Sequence, residues 1–210
     1  MGWRSWARTQ AWKAKVQVQA KAAGGSLDIE IDPTARVSPG VAVEVRRGCH
    51  ARVRVGPRSR LHDGVFLHLG NASVDVGADC DLRRWVVLNV AGDLRLEGSN
   101  ILGHGATVHC EHEVVFEPQA SCSEYVTVTD SRHFHRDDES WFYGNSESAP
   151  VRIGRNTWLA SKATVLMGAQ VGEQSVVGCH AAVRGTTPPR SLLVGSPARA
   201  VRGSIEAPSS

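Results

Sequence analysis

Two histidines, His133 and His135, lie in a stretch rich in acidic and aromatic residues, TDSRHFHRDDESWFYGNSESAPVR, which spans residues 129–152. An imidazole accepts a proton near neutral pH, a carboxylate such as that of Asp130 can orient it, and aromatic faces can contact a substrate. The stretch is therefore a candidate group-transfer site with a histidine base. The residues alone leave alternatives open. A loop histidine is often merely solvated, Asp130 fits equally well as a turn-capping residue, and Trp141–Tyr143 could anchor the loop on its own or a neighbouring subunit.

A six-residue period follows this stretch. The aliphatic positions are Ile153, Leu159, Val165, Val171, Val177 and Val183, and small residues stand four places after the first five, at Thr157, Ala163, Ala169, Ser175 and Ala181. A helix would repeat at three and four residues and a half-exposed strand at two. The period of six predicts a parallel β-helix in which three short units close each triangular coil and neighbouring coils satisfy the backbone hydrogen bonds.

The same period appears earlier in shorter runs. These are Val37, Val43, Cys49, Val55, Leu61 and Leu67; Val76, Leu82 and Leu88; Leu96, Leu102 and Val108; and Phe116, Cys122 and Val128. Offsets between the runs predict short insertions at corners, and Cys80 and Cys122 are expected to be apolar fillers of the interior. The sequence thus predicts an all-β domain, a left-handed parallel β-helix over 27–195 with an inserted active-site loop at 129–152.

The two ends are expected to be helical. Residues 1–25 contain five basic residues and no acidic one, and Trp3, Trp6 and Trp12 lie among them. We predict a basic helical segment over 1–26, which could contact an anionic membrane surface peripherally or, because its apolar stripe is poor, pack on a subunit. Ser196 and Pro197 predict a helix start, so 196–210 would form a C-terminal helix and tail.

Composition narrows the class of protein. The formal net charge is only +3, and 41% of the residues are hydrophobic, which argues against disorder and against an extended nucleic-acid surface. Five cysteines without a C-x-x-C pair fit a reducing compartment, and no apolar run is long enough to cross a bilayer. A cytoplasmic location is the expectation.

The C-terminal part resembles a known family. VRIGRNTWLASKATVLMGAQVGEQSVVGCHAAV, followed by PPRSLLVGSPARAVR, is similar to the last coils and closing segment of hexapeptide-repeat acyltransferases, and the likeness covers residues 150–202. It is strongest to the branch of galactoside, maltose, xenobiotic and capsular-polysaccharide O-acetyltransferases. Upstream, VTVTDSRH resembles the catalytic segment of that family. This chain has Leu159-Ala160 where the family often has Ile-Gly, and its part up to about residue 110 does not match the sugar-specific members.

This resemblance implies a homotrimer with active sites between subunits and acetyl-CoA lying along the coils, with no metal. His133 would be the general base, with His135 in reserve and Asp130 as its orienter, for direct acyl transfer to a hydroxyl of a saccharide or other small acceptor. Ser161 and Cys179 match positions along the pantetheine arm. The positions near the nucleotide phosphates are matched by Arg184, Arg199 and Arg202.

Two other classes use the same fold. His68, His104 and His109 have a spacing similar to the zinc ligands of γ-class carbonic anhydrases, where three imidazoles leave a position for a metal-bound water. A catalytically inactive β-helix scaffold is the second alternative. A metal assay would test the zinc enzyme. The inactive scaffold would be tested by whether His133 faces a groove between subunits or open solvent.

Overall fold

The computed structural model describes residues 3–134 and 146–201, with side chains from residue 7 onward. One helix, α1 (Trp3–Ala22), precedes a long series of short strands. The first coil contains β1 (Ser26–Ile31), β2 (Arg36–Val37) and β3 (Ala42–Val45); the second contains β4 (His50–Val55), β5 (Arg60–Leu61) and β6 (Phe66–Leu69). The third contains β7 (Ala72–Val76), β8 (Asp81–Leu82) and β9 (Val87–Val90); the fourth contains β10 (Asp93–Leu96), β11 (Ile101–Leu102) and β12 (Thr107–Cys110).

The fifth coil, β13 (Glu113–Phe116), β14 (Ser121–Cys122) and β15 (Thr127–Thr129), is followed by a hairpin of β16 (Ser131–His133) and β17 (Ser146–Ser148). The sixth coil contains β18 (Val151–Ile153), β19 (Trp158–Leu159) and β20 (Thr164–Val165), and the seventh contains β21 (Gln170–Val171), β22 (Val176–Val177) and β23 (Ala182–Val183). The described chain closes with β24 (Leu192–Val194) and β25 (Arg199–Val201).

The strands stack into three parallel sheets that form the faces of a triangular prism. Face A holds the first strand of each coil, face B the second together with β24 and β25, and face C the third. We name the corners by the faces they join: A–B, B–C and C–A. This architecture confirms the predicted β-helix, consistent with the left-handed type.

Coil length changes along the prism. Ser26 pairs with His50 and Ala51 with Ala72, which gives the first two coils 24 and 21 residues. Arg152 pairs with Gln170, so the sixth coil has the 18 residues of three hexapeptides. The extra residues of the early coils lie mainly at the C–A corner, which explains the offsets between the sequence runs.

The interior is apolar and follows the repeat. In the last two coils a large and a small side chain are buried in alternation, whereas several earlier units bury two large ones, such as Leu94 and Leu96. The largest fully buried side chains include Phe116, Ile153 and Leu159. Cys80 and Cys122 are buried as predicted, and so is Cys110. Cys49 does not occupy an interior repeat position, because the long first coil places it at the C–A corner, where it is only partly buried.

Helix α1 caps the open end of the prism. Its buried side chains, Thr9, Trp12, Val16 and Ala20, recur at helical spacing on one face. The Trp12 indole Nε1 donates a hydrogen bond of 2.8 Å to the carbonyl of Val41. Trp12 therefore seals the core and is not available for the membrane contact that the sequence had suggested as one alternative. The side chains of Trp3 and Trp6 lie outside the described residues. Within the described part of the chain, no helix combines the length and the apolar character needed to cross a membrane.

The predicted C-terminal helix is wrong over its described part. Ser196 and Pro197, joined by a cis peptide bond, lie in the turn between β24 and β25, and β25 pairs with β24 in antiparallel fashion. Pairing with the last strand of face B satisfies backbone groups at the top edge of the sheet, which a helix would have left exposed. Residues 202–210 lie outside the described part.

Candidate functional site

The break in the repeat is a hairpin that leaves the prism at the C–A corner between the fifth and sixth coils. In this hairpin Ser131 pairs with Ser148 and His133 with Ser146, and an ion pair joins Arg132 to Glu147. His133 is exposed. His135 and the aromatic run 141–143 lie outside the described residues, so both remain sequence predictions.

Asp130 anchors the root of this hairpin. Its side chain is fully buried, and its two carboxylate oxygens accept hydrogen bonds from the backbone N–H groups of Glu111, His112 and Glu113 at 2.8, 2.7 and 2.8 Å. The Asp130 carbonyl also accepts from the N–H of Ala149 at 2.8 Å, on the returning side of the hairpin. No hydrogen bond joins Asp130 to His133 within the described residues. The geometry matches the turn-capping alternative rather than an orienter of the imidazole.

Ser161 and Cys179 stack on one another at the B–C corner of the sixth and seventh coils. The N–H of His180 donates to the Ser161 carbonyl at 3.3 Å, and Cys179 is exposed. The residues that follow them, Lys162 and His180, have φ values of 61° and 58°, so the two corners turn in the same way. The two corners therefore lie one above the other and form a shared edge, at the positions that the resemblance matches to the pantetheine arm.

A carboxylate lies directly below this edge. The Ser161 hydroxyl donates to Glu124 Oε2 at 3.1 Å. A backbone hydrogen bond and the bond from Ser161 hold the pKa of the Glu124 carboxyl below its ordinary value, helped by the positive charge of Arg83. Glu124 is consequently ionised at neutral pH.

The three predicted phosphate-binding arginines do not share one location. Arg199 lies in β25 opposite Val194, above the seventh coil and at the end of face B nearest the B–C corner. Arg184 follows β23 and lies at the C–A corner, and both side chains are exposed. Arg202 lies outside the described residues. The structure thus brings Arg199 towards Ser161 and Cys179 and places Arg184 at the other edge of face C.

The base and the proposed donor edge lie at different corners of one chain. His133 belongs to the C–A corner, whereas Ser161 and Cys179 belong to the B–C corner, and the four residues 163–166 cross face C between them. Extended residues advance about 3.3 Å each, which separates the two corners by about 13 Å.

The histidines of the zinc alternative are also separated. His68 and His109 lie on face C with Asn89 paired between them, so they are two coils, or about 9–10 Å, apart. His104 lies at the B–C corner. Ligands of one zinc ion each need a nitrogen about 2 Å from the metal, and the described residues contain no group of three His, Cys, Asp or Glu side chains that could hold one.

Three exposed aromatic residues were missed by the sequence reasoning. Trp85 and Tyr125 are each 61% exposed and lie at the B–C corner, below Ser161. Trp158 is 52% exposed on face B and donates from Nε1 to the Ser123 hydroxyl at 2.9 Å. The signal available in the sequence was their position, since Trp85 and Tyr125 fill a corner of the repeat at which the coil below each of them has glycine.

Comparison with known proteins agrees with the fold. No protein-family model matches the chain. A probable acetyltransferase of Mycobacterium tuberculosis is 29% identical over 152 residues, which is 68% of this chain and 49% of that protein. A putative acetyltransferase of Staphylococcus aureus is 39% identical over 78 residues, 37% of each chain. The chain thus spans about half, or less, of the length of these curated relatives.

Two solved structures share the architecture. AntD, an N-acyltransferase from Bacillus cereus solved with dTDP and coenzyme A, superposes with a TM-score of 0.56 at 13% identity over 84% of this chain and 83% of that one. The polysialic acid O-acetyltransferase OatWY gives a TM-score of 0.53 at 18% identity over 88% of this chain and 90% of that one. At such low identity these likenesses establish the fold.

The six-residue period and the three-faced prism define a parallel β-helix of the hexapeptide-repeat class. Within this class, the chain is similar to proteins named as acetyltransferases.

Proposed function

We propose that the protein transfers an acetyl or other short acyl group from acyl-CoA to a hydroxyl of a saccharide-like acceptor, with His133 as general base. The relatives named as acetyltransferases support acyl transfer, and the AntD complexes contain coenzyme A or 3-hydroxybutyryl-CoA. The observation that carries the proposal is that the prism is interrupted by a hairpin, and that this hairpin presents an exposed histidine. A cytoplasmic location, with access to acyl-CoA, belongs to the same proposal.

The reaction needs little beyond a base and correct placement. As the acceptor oxygen attacks the thioester carbonyl, the His133 imidazole takes the hydroxyl proton. The carbon–sulfur bond then breaks, and the departing sulfur receives a proton from the imidazolium, which leaves an ester and free CoA. A base in this role contributes about 10²–10⁴ to the rate.

The B–C corner of the last two coils suits the donor. The stacked edge at Ser161 and Cys179 offers backbone polar groups and a small exposed side chain, which allow a narrow pantetheine arm to approach closely. Arg199, at the top of this edge, would bind phosphate through its guanidinium. The ionised Glu124 lies at the other end, away from those phosphates.

A second copy of the chain would bring the two halves of the site together. The base and the donor edge lie at different corners, about 13 Å apart across face C. In a homotrimer, the C–A corner of one prism would face the B–C corner of its neighbour. His133 of one copy would then serve the acyl-CoA held along the next.

The test is a thiol-release assay with acetyl-CoA and a panel of hydroxyl acceptors. We expect His133→Ala to lower kcat by about 10²–10⁴ while leaving the fold and the binding of CoA unchanged. His135→Ala, two residues away, is the matched control and should retain most activity. Full turnover by His133→Ala would reject His133 as the general base. Loss of turnover in His135→Ala would instead assign that role to His135.

Subunit complementation would test the shared site. His133→Ala and a variant with a blocked donor edge, Cys179→Trp, should each be inactive alone. Mixed after reversible dissociation, they should regain a fraction of wild-type activity, because some interfaces combine two intact halves. No recovery in verified mixed trimers would place the whole site within one chain.

A further inference from the structure

Trp85 and Tyr125 form an exposed aromatic row on the B–C corner. The corner positions of successive coils are Gly64, Trp85, Gly105, Tyr125, Lys162 and His180, and all have positive φ, from 56° to 78°. Bulky residues rarely adopt this left-handed backbone conformation, which glycine accepts freely. With both residues 61% exposed, the burial of apolar surface does not account for aromatic residues at these two positions.

Each ring lies against the glycine of the coil below. A Cβ atom added to Gly64 would come within 2.6 Å of Trp85 Cδ1, and one added to Gly105 within 2.6 Å of Tyr125 Cε1. The two glycines therefore leave room for the rings to contact the prism. Both residues remain 61% exposed, so a ligand can reach the rings.

Polar side chains border the row. The residue before each corner position is Asp63, Arg84, His104 and Glu124 in turn. His104 also packs against Trp85, with ring centroids 6.2 Å apart and tilted by 50°. Hydrogen bonding to the Ser38 hydroxyl lowers the pKa of Asp63, so that carboxylate and the one of Glu124 are both ionised and accept hydrogen bonds.

We propose that this aromatic row binds an extended saccharide chain and is the acceptor track leading to the donor edge at Ser161. The two rings are two coils apart, about 9–10 Å. That distance suits alternate sugar rings of a chain lying along the corner. Pyranose rings present apolar C–H faces for stacking and hydroxyl edges for the bordering carboxylates and guanidinium. This inference rests on the proposed function, which it deepens by naming the acceptor class.

The border residues disfavour two other occupants. Nucleic-acid bases also stack on aromatic side chains, but their phosphates would meet the ionised carboxylates of Asp63 and Glu124. The core of an interface between protein chains is depleted of charged residues, whereas three of the four residues that border this row, Asp63, Arg84 and Glu124, are charged. A saccharide uses the rings and the charges together.

Glycine substitutions test the row without straining the fold. Trp85→Gly gives its coil the residue that both neighbouring coils have at this position, and Tyr125→Gly gives its coil the residue of the coil below. Gln119→Gly, at the A–B corner with a φ of 67°, is the matched control. Isothermal titration calorimetry would compare maltohexaose, cellohexaose and the hexamer of N-acetylglucosamine with their monosaccharides.

We expect at least one hexasaccharide to bind at least tenfold more tightly than its monosaccharide. Removal of either ring should weaken that binding about tenfold, in line with the loss of one stacked ring. The double variant should bind the hexasaccharide no more tightly than the monosaccharide. Gln119→Gly should bind like the wild type. Absence of hexasaccharide binding, equal binding by the ring variants, or a smaller assembly mass of the double variant in sedimentation would each overturn the proposal.

The result is separable from the fate of the proposed function. Ring-dependent binding without consumption of acetyl-CoA would leave the saccharide track standing and reject acyl transfer. Acyl transfer to hexasaccharides with an unchanged KM in the double variant would reject the track and retain acyl transfer. If both hold, the ring variants raise KM for hexasaccharides while kcat for the monosaccharide stays at the wild-type value.

Discussion

Replacing Asp130 separates a structural role from a role in orienting the base. Its carboxylate accepts three backbone hydrogen bonds, from residues 111–113, and its side chain is fully buried at the hairpin root. Asp130→Ala removes both oxygens and leaves three N–H groups without their acceptor. Hydrogen bonds to a charged group contribute about 1.5–3 kcal/mol each, and part of the loss is recovered when water reaches the corner.

We therefore expect Asp130→Ala to lower the free energy of unfolding by about 3–5 kcal/mol. Asp130→Asn keeps one acceptor oxygen and should lose about 2 kcal/mol. Urea unfolding followed by circular dichroism, at one fixed protein concentration, measures both values. Asp93→Ala, an exposed acidic residue on the same side of the prism, should change the value by less than about 0.5 kcal/mol.

Activity gives the second measurement. If Asp130 acts only through the hairpin root, kcat and KM of Asp130→Asn at low temperature should differ from wild type by a modest factor, and the pH profile of kcat/KM should not move. An Asp130→Ala protein within about 1 kcal/mol of wild type in stability would refute the role at the root. A large loss of kcat with unchanged stability would show that Asp130 orients the histidine instead.

Three further outcomes follow from the described contacts. Cys179 is exposed at the donor edge, so a bulky maleimide should label it rapidly and abolish activity, and saturating CoA should slow the labelling; equal rates with and without CoA would contradict the donor site. Gly103→Ala places a Cβ atom on the backbone of Ser123 and should cost about 2 kcal/mol or more in a thermal or urea melt, whereas a loss below 0.5 kcal/mol would contradict the tight coil stacking. Burial raises the pKa of Glu117, but hydrogen bonds and charge from Arg152 and Arg155 outweigh it and hold the pKa below its ordinary value. The stabilisation from the Glu117 carboxylate is present above its unfolded-state pKa and is lost as the pH falls through its folded-state pKa. Glu117→Gln should therefore lower the free energy of unfolding at pH 7 and have no effect near pH 2. A stability difference from wild type that does not change with pH would contradict the ion pair.

Periodicity made most of the fold predictable. An apolar side chain at every sixth position can be buried each time only in a structure whose environment repeats every six residues. The aliphatic positions from Ile153 to Val183 are accordingly buried in the prism. Errors arose where a local pattern competes with edge pairing. Ser196-Pro197 looks like a helix start, but the residues that follow it form a strand, because they pair with the free edge of face B at Leu192–Val194.

The candidate site was predictable in composition and not in placement. The break at 129–152 and the histidines within it are visible in the sequence, because they interrupt a regular period. The partners of Asp130 are not visible, since they lie 17 to 19 residues earlier in the chain and meet it only through coil stacking. The zinc alternative shows the same limit, because its assumed coils of 18 residues are 20 or 21 residues long at His68 and His109.

The sequence by itself determined that this chain forms a β-helix interrupted once by a histidine-bearing segment, because a six-residue period is a local property that each unit expresses alone. Tertiary structure decided which residues share a corner. The lengths of the individual coils set the register between them, and a shift of two residues moves a side chain to another corner or face. That register places Trp85 and Tyr125 in line with Ser161, and His133 on a different corner.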